Sequence, residues 1–146
     1  MEDQKKEQFP EPQAPEPQTF QDLGVSDALR AAVEAMGWEA PTPIQIKSIP
    51  TGLAGSDLVG IAQTGTGKTG AFMLPALERI ETGGGLQVLV LCPTRELAQQ
   101  VCDDTEELAK GTSIRTASIY GGVGYDPQLT ALKEGFEVIA ATPGRF

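Results

Sequence analysis

The sequence contains no histidine, and this absence excludes several kinds of chemistry. Histidine general bases, Ser-His-Asp triads and histidine-ligated metals are all ruled out. The two cysteines, Cys92 and Cys102, fit no CxxC spacing, so we predict buried free thiols in a reducing compartment. Long hydrophobic runs are also absent, because the longest, Val88 to Cys92, is far below the roughly 18 residues of a membrane span. We therefore expect a soluble, cytoplasmic protein whose chemistry uses carboxylates, lysine, hydroxyls and Mg²⁺.

Basic charge is scarce as well. The chain carries 20 acidic residues against 11 lysines and arginines, a formal net charge of −9. No overall positive field attracts nucleic acid, so any contact with a polynucleotide must be local. At 146 residues the chain is at most one ordinary domain, and it is small for a complete nucleotide-driven motor.

The pattern along the chain predicts a leader followed by an α/β domain. Residues 1–19 are acidic and proline-rich and are expected to be disordered, whereas residues 20–146 alternate between helix and strand signals. A first helix is predicted between Ser26 and Gly37, and a second begins at Thr42 and stops before Pro50. Beyond them, strands are predicted at 57–61, 87–92, 115–120 and 137–141. Helices are predicted at 68–80, 95–110 and 127–134. Pro75 should kink or divide its helix. In the helix from Arg95, the stripe Leu97, Val101 and Leu108 should be buried. This alternation predicts a parallel sheet with helices on both faces.

Residues 62–69 read Ala-Gln-Thr-Gly-Thr-Gly-Lys-Thr, between an apolar run and a predicted helix. The order is that of a phosphate-binding loop, although Ala62 stands where the general pattern has its first glycine. Glycines turn the backbone NH groups inward, lysine brings a cation to the outer phosphates, and the last hydroxyl can bind Mg²⁺. The predicted nucleotide contacts here are Thr64, Gly65, Thr66, Gly67, Lys68 and Thr69. An ordinary glycine-rich turn is the alternative, but the sequence order favours a nucleoside triphosphate site.

Four further motifs occur at defined positions in the chain. They are Gly37 to Gln45 with Phe20 upstream, the run Pro-Thr-Arg-Glu-Leu-Ala from Pro93, the pair Gly121-Gly122, and Thr142-Pro143-Gly144-Arg145. With the phosphate loop, these resemble the Q motif, motif Ia, GG element and motif Ib of DEAD-box ATP-dependent RNA helicases, in family order. The resemblance covers residues 20–146 and implies the N-terminal portion of a RecA-like ATP-binding domain.

The resemblance implies roles for the nucleotide-site residues, and their chemistry suits those roles. The carboxamide of Gln45 offers one donor and one acceptor together, which matches N6 and N7 of adenine and would select ATP. Phe20 would stack on the purine, although a hydrophobic anchor would also explain it. Thr42 can hydrogen-bond within its motif or simply cap a helix. Lys68 and Thr69 are the predicted catalytic residues, and Thr69 is the predicted Mg²⁺ ligand. Trp38 is assigned to core packing.

The remaining motifs are predicted to bind RNA. They fall at strand ends, the edge at which open α/β sheets place ligands. Side chains and backbone NH groups there would hold one strand by its sugar-phosphate backbone without reading base sequence. The predicted contacts are Pro93, Thr94, Arg95, Gly121, Gly122, Thr142, Pro143, Gly144 and Arg145.

The sequence ends before any Asp-Glu-Ala-Asp motif, so we expect an N-terminal fragment of a monomeric helicase. The intact protein is expected to hydrolyse ATP. The fragment should lack hydrolysis, bind ATP weakly and be poorly folded or self-associating, because the strand at 57–61 would be unpaired. A non-catalytic decoy that binds ATP or RNA and a regulatory helicase-like module are the alternatives.

Overall fold

The computed structural model describes residues 18–145, in which helices and strands alternate as expected. The elements are α1 (Asp27–Ala35), α2 (Pro43–Leu53), α3 (Lys68–Glu78), β1 (Val88–Leu91), α4 (Arg95–Leu108), β2 (Thr116–Ile119), α5 (Tyr125–Glu134) and β3 (Val138–Ala141). The predicted leader lies outside the described residues except for Gln18 and Thr19, and so does Phe146. Across residues 18–145, none of the helices has the length and apolar character needed to span a bilayer.

The three strands form one parallel sheet in the order β1-β3-β2. β3 reads Val-Ile-Ala-Ala and is buried at every position, which suits a central strand covered on both faces. Its residues alternate between two hydrophobic clusters, with Val138 and Ala140 in the larger and Ile139 and Ala141 in the smaller. The larger cluster includes residues of α1, α2, α3 and α4. The predicted fold class, a parallel α/β sheet with helices, is confirmed.

The predicted strand at residues 57–61 is wrong for this structure. The segment has no regular secondary structure, and no strand of the described part of the chain lies beside it. The side chains of Val59 and Ile61 are 91% and 92% exposed. A buried parallel strand depends on hydrogen bonds to neighbours and on cover for both faces. The apolar composition is that of a strand, but the partners that would stabilise one do not pack here.

The predicted end of the second helix before Pro50 is wrong, because α2 continues through Pro50 to Leu53. Pro75 does not divide α3, which runs to Glu78, and a kink at Pro75 stays a prediction. Each proline lacks an NH and so forfeits one helical hydrogen bond, which normally costs about 3 kcal/mol. The two helices pack closely against each other, and a side chain added at Gly52 would come within 2.8 Å of Pro75. This tertiary packing keeps both helices intact.

The buried face of α4 is shifted from the prediction. Leu97 is 42% exposed, while Ala98 and Cys102 are buried beside Val101 and Leu108. α4 packs against α3 as well as against β2 and β3, so its apolar face is set by several neighbours rather than by one. Both cysteines are buried and free, as predicted.

Candidate nucleotide and RNA site

The phosphate loop is shaped by two glycines with left-handed backbone. Gly65 has φ of 78° and Gly67 has φ of 81°, a region that other residues enter only with strain. Gly67 is the residue before the first turn of α3, so the helix begins at Lys68 with its NH groups at the loop. The partial positive charge of a helix N-terminus and its free NH groups form an anion-binding arrangement.

Hydrogen bonds within the loop fix its side chains. Lys68 Nζ donates to the carbonyl oxygen of Ala62 at 2.7 Å, and Thr66 Oγ1 donates to that of Gln63 at 2.6 Å. The lysine therefore closes the loop back on its own start and keeps its ammonium over the turn. Alanine at position 62, in place of the usual first glycine, supplies the carbonyl that accepts this bond.

Gln45 connects the N-terminus of α2 to the phosphate loop. Its Oε1 accepts from the backbone NH of Thr42 at 2.9 Å, and its Nε2 donates to the carbonyl oxygen of Gly67 at 3.1 Å. The residue is 1% exposed. A side chain at Gly67 would come within 2.5 Å of this amide, so glycine is required there on two grounds, close approach and φ. The amide oxygen Oε1 can accept one more hydrogen bond, and the amide nitrogen Nε2 can donate one more.

A cavity of about 890 Å³ opens between these residues and α4. Its size lies within the range of small-molecule sites. It is lined by the loop, by Trp38, Thr42 and Gln45 from the N-terminal side, and by residues of α4 that include Leu97, Gln100 and Asp104. Thr42 and Gln45 form a capping box at the start of α2, in which the Thr42 hydroxyl faces the backbone NH of Gln45 and Gln45 Oε1 accepts from the NH of Thr42. The Thr42 hydroxyl therefore serves the helix cap at the border of the cavity.

Asp104 brings a carboxyl group to the same cavity. Burial raises the pKa of this carboxyl, and a hydrogen bond from the Thr69 hydroxyl partly opposes the rise. The last residue of the phosphate loop therefore faces an acidic side chain of α4. Within residues 18–145, no group of three or more cysteine, aspartate or glutamate side chains is placed to hold a metal ion.

Phe20 lies in the hydrophobic core instead of lining the cavity. It is 6% exposed and stacks on Trp38, with ring centroids 6.5 Å apart and planes inclined by 29°. Trp38 lines the cavity on its other side, so the tryptophan stands between Phe20 and the space beside the loop. Contact of Phe20 with a purine stays a prediction. Trp38 is the aromatic ring that the structure places at the cavity.

The three motifs assigned to RNA meet at one edge of the sheet. The strand register aligns Leu91, Ala141 and Ile119, so the segments that follow the three strands lie side by side. Thr94 Oγ1 accepts from the NH of Leu97 and caps α4. Thr142 donates its backbone NH to Ile119 at 3.0 Å. These bonds fix the turns that carry Pro93, Gly121, Pro143 and Gly144.

Two arginines reach the GG segment. A guanidinium nitrogen of Arg95 lies 3.5 Å from the position that a Cβ at Gly122 would take, and Arg95 pairs with Glu96 at 2.8 Å. Arg145 donates to the carbonyl oxygen of Val123 at 3.1 Å. The structure therefore brings the arginines of the Pro93 and Thr142 motifs together around the GG turn, and their contact with RNA stays a prediction.

Three residues were not predicted from sequence to belong to these sites. Trp38, which was assigned to core packing, and Asp104 line the cavity, and Tyr125 lies beside Arg145. The signal for Trp38 was its place inside the motif that ends at Gln45. Asp104 could not be found from sequence, because helical periodicity does not show that α3 packs beside α4. Tyr125 precedes the helix predicted at 127–134 and therefore gave no signal.

The parallel α/β sheet and the loop that opens α3 define a RecA-like domain, and comparisons with known proteins identify its family. The family model of DEAD/DEAH box helicases matches residues 42–146. The chain is 48% identical over 128 residues to the DEAD-box ATP-dependent RNA helicase CshA of Bacillus cereus, covering 87% of this chain and 24% of that protein. A crystal structure of a DEAD box protein from the hyperthermophile Methanococcus jannaschii matches with a TM-score of 0.83 and 41% identity, covering 87% of this chain and 35% of that one.

The chain belongs to the DEAD/DEAH box helicase family. The predicted resemblance is thereby confirmed, and so is the RecA-like fold class. The chain spans 24% of the length of the curated relative that it matches.

Proposed function

We propose that this chain supplies the ATP-binding half-site and part of the RNA-binding surface of an ATP-dependent RNA helicase. Because it spans only 24% of its Bacillus cereus relative, we assign ATP hydrolysis and duplex opening to a longer protein, called the intact protein below. The observation that carries the proposal is the hydrogen bond from Gln45 Nε2 to Gly67, which joins the adenine-selecting amide to the phosphate loop in one cavity.

The residues of the cavity suit each part of ATP. The loop NH groups and the N-terminus of α3 would hold the phosphates, and Lys68 would exchange its bond to Ala62 for a phosphate oxygen. Thr69 would hold Mg²⁺, and the ion would supply positive charge that neutralises the phosphates. The remaining donor and acceptor of the Gln45 carboxamide would hydrogen-bond the purine edge. Phosphoryl transfer also needs carboxylates that hold Mg²⁺ and orient water, which we assign to the intact protein.

The RNA strand would follow the edge at which β1, β2 and β3 end. Arg95 and Arg145 would pair with phosphates, and the glycine turns would let backbone NH groups approach the chain. This arrangement explains how a protein of net charge −9 can bind RNA, since the cations converge on one turn. Backbone contact gives little sequence selectivity.

The direct test is ATP hydrolysis by the intact protein, measured by phosphate release with and without single-stranded RNA. We expect hydrolysis that depends on RNA and on Mg²⁺ and that strongly prefers ATP to GTP. The 146-residue chain alone should bind ATP without turning it over. Hydrolysis by this chain above background would contradict the assignment of the catalytic carboxylates to other residues, and RNA-independent turnover by the intact protein would contradict the helicase proposal.

A second prediction concerns the choice of nucleotide. In the intact protein, Gln45→Ala should weaken ATP binding by roughly 5- to 150-fold, because one bidentate base contact contributes about 1 to 3 kcal/mol. GTP binding should change little. The measurement is calorimetric titration of both nucleotides.

The control for that prediction is Gln45→Glu, since Gln45 also holds Thr42 and Gly67. A glutamate keeps an acceptor for the NH of Thr42 but loses the donor to Gly67 and to adenine N7. It should therefore lose ATP preference while keeping the cap of α2. If both variants weaken ATP and GTP by the same factor, Gln45 acts only by shaping the loop.

A further inference from the structure

One exposed aromatic side chain lies within the proposed RNA surface and has no role in it so far. Tyr125 is the first residue of α5 and is 63% exposed. The guanidinium carbon of Arg145 lies 4.0 Å from the centre of its ring. The same arginine donates to Val123, two residues earlier. Tyr125 therefore borders the turn at which motifs Ia, Ib and the GG pair meet.

The contact between Arg145 and Tyr125 leaves both groups available for RNA. A guanidinium that stacks on an aromatic ring uses its flat face, so its in-plane NH groups can still bind phosphate. Only one of these NH groups, on Nη1, already makes a hydrogen bond, which it donates to the carbonyl oxygen of Val123. The stacking also holds the arginine side chain in one orientation, which lowers the entropy lost when it binds an anion.

The position of the ring is fixed by its own helix. α5 begins directly after the GG turn, and Gln128 in its first turn donates to the carbonyl oxygen of Tyr120 at the end of β2 at 3.0 Å. The ring is thus attached to the same sheet edge that carries the proposed phosphate contacts. With 63% of the residue exposed, most of Tyr125 remains accessible beside Arg145.

We propose that Tyr125 is a base-stacking residue of the RNA surface. One face of its ring holds Arg145 against the RNA backbone, and the opposite face receives an unstacked base of the same single-stranded RNA. The inference rests on the proposed function. It adds a contact to the bases in a surface that otherwise grips only the sugar-phosphate backbone, and stacking of this kind tolerates any base.

The test uses the intact protein and two fluorescent single strands of equal length, one an ordinary RNA and the other an abasic strand with the same backbone. In fluorescence anisotropy titrations, Tyr125→Ala should weaken binding of the ordinary RNA by roughly 5-fold or more, the lower end of measured stacking contributions. Binding of the abasic strand should weaken by a clearly smaller factor, because only the orientation of Arg145 is lost there. Tyr125→Phe should behave as wild type, whereas Tyr125→Leu should resemble alanine, because leucine keeps apolar bulk without a π face.

The dependence on salt separates stacking from an effect exerted through Arg145. Loss of one phosphate contact lowers the slope of log affinity against log salt by about one, and Arg145→Ala should show this. Tyr125→Ala should leave the slope unchanged. Wild-type affinity in Tyr125→Ala, or an equal loss on both strands with a reduced slope, would overturn the stacking role while leaving the proposed function standing. Failure of the wild-type protein to bind RNA would overturn both.

Discussion

Replacing Lys68 by alanine in the intact protein is expected to lower RNA-stimulated ATP hydrolysis by about 100-fold or more. Lys68 is the only basic side chain of the loop at 62–69, and its ammonium lies over the turn that would hold the phosphates. A positioned charge in a site that excludes water stabilises a transition state far more than it would in bulk solvent, and removal of one such group typically costs 10² to 10³ in rate. Steady-state phosphate release at saturating RNA measures the effect.

Lys47→Ala provides a matched control for this experiment. Lys47 is an exposed lysine of α2 that does not line the cavity, so its replacement removes the same charge without touching the loop. It should leave turnover near the wild-type value. Unchanged turnover in Lys68→Ala would contradict the assignment of residues 62–69 as the phosphate loop, whatever the fold of the domain.

The loop was predictable from sequence because its structure is local. Gly65 and Gly67 can adopt positive φ without strain, and a helix former follows directly, so residues 62–69 carry most of the information for their own conformation. The observed helices and strands have the predicted types but are shorter by one or two residues at several ends. Element ends depend on capping and on neighbours more than on hydrophobic periodicity.

Non-local packing explains where the sequence-based predictions were wrong. Val59 and Ile61 have the composition of a buried strand, yet strand formation requires partners that composition cannot supply. Pro50 and Pro75 lie inside helices because α2 and α3 support each other, which no local rule foresees. The stacking of Phe20 on Trp38 also depends on packing, because the sequence left a purine contact and a hydrophobic anchor as alternatives for this ring.

The residues of the candidate site also fall into two groups, those indicated by local sequence motifs and those brought to the site by packing. Gln45, Lys68 and Thr69 could be named because their motif positions carry their chemistry. Asp104 and Tyr125 could not, because their relevance arises only when α4 packs beside α3 and α5 starts beside Arg145. Such residues are found by asking which side chains the fold brings to a site, after the motifs have located it.

The buried carboxylate of Glu137 is another feature that depends on the fold. The residue precedes β3 and is 1% exposed. Its two oxygens accept from the backbone NH groups of Gly83 at 3.0 Å and of Arg115 at 2.9 Å. The first lies in the connection between α3 and β1, and the second is the residue before β2. One side chain therefore ties the starts of all three strands together, with the Arg115 guanidinium 3.8 Å away.

The hydrogen bonds decide the ionisation state of this carboxyl. Burial acts to raise the pKa of Glu137, but the backbone NH groups of Arg115 and Gly83 and the charge of Arg115 outweigh it, so the pKa lies below its ordinary value. A carboxyl whose pKa is lower in the folded state adds stability that is present above its unfolded pKa of about 4.3. That stability is lost as the pH falls through the folded value.

Glu137→Ala is therefore expected to lower the free energy of unfolding at neutral pH by about 2 kcal/mol or more, the cost of leaving the backbone NH groups of Gly83 and Arg115 without their acceptor. Glu137→Gln should lose somewhat less, because its amide can accept from one NH group but presents its own NH₂ to the other. Exposed Glu134→Gln is the matched control and should stay within about 0.5 kcal/mol of wild type. Denaturant unfolding of the intact protein, followed by a probe in this domain, gives these values. Repeating it towards acid pH tests the mechanism. The difference in unfolding free energy between wild type and Glu137→Gln should narrow as the pH falls from about 4.3 through the lower folded pKa, because the unfolded wild-type chain binds a proton that the folded carboxylate resists. A gap that stays constant with pH would mean that packing, not charge, accounts for the stability that Glu137 contributes.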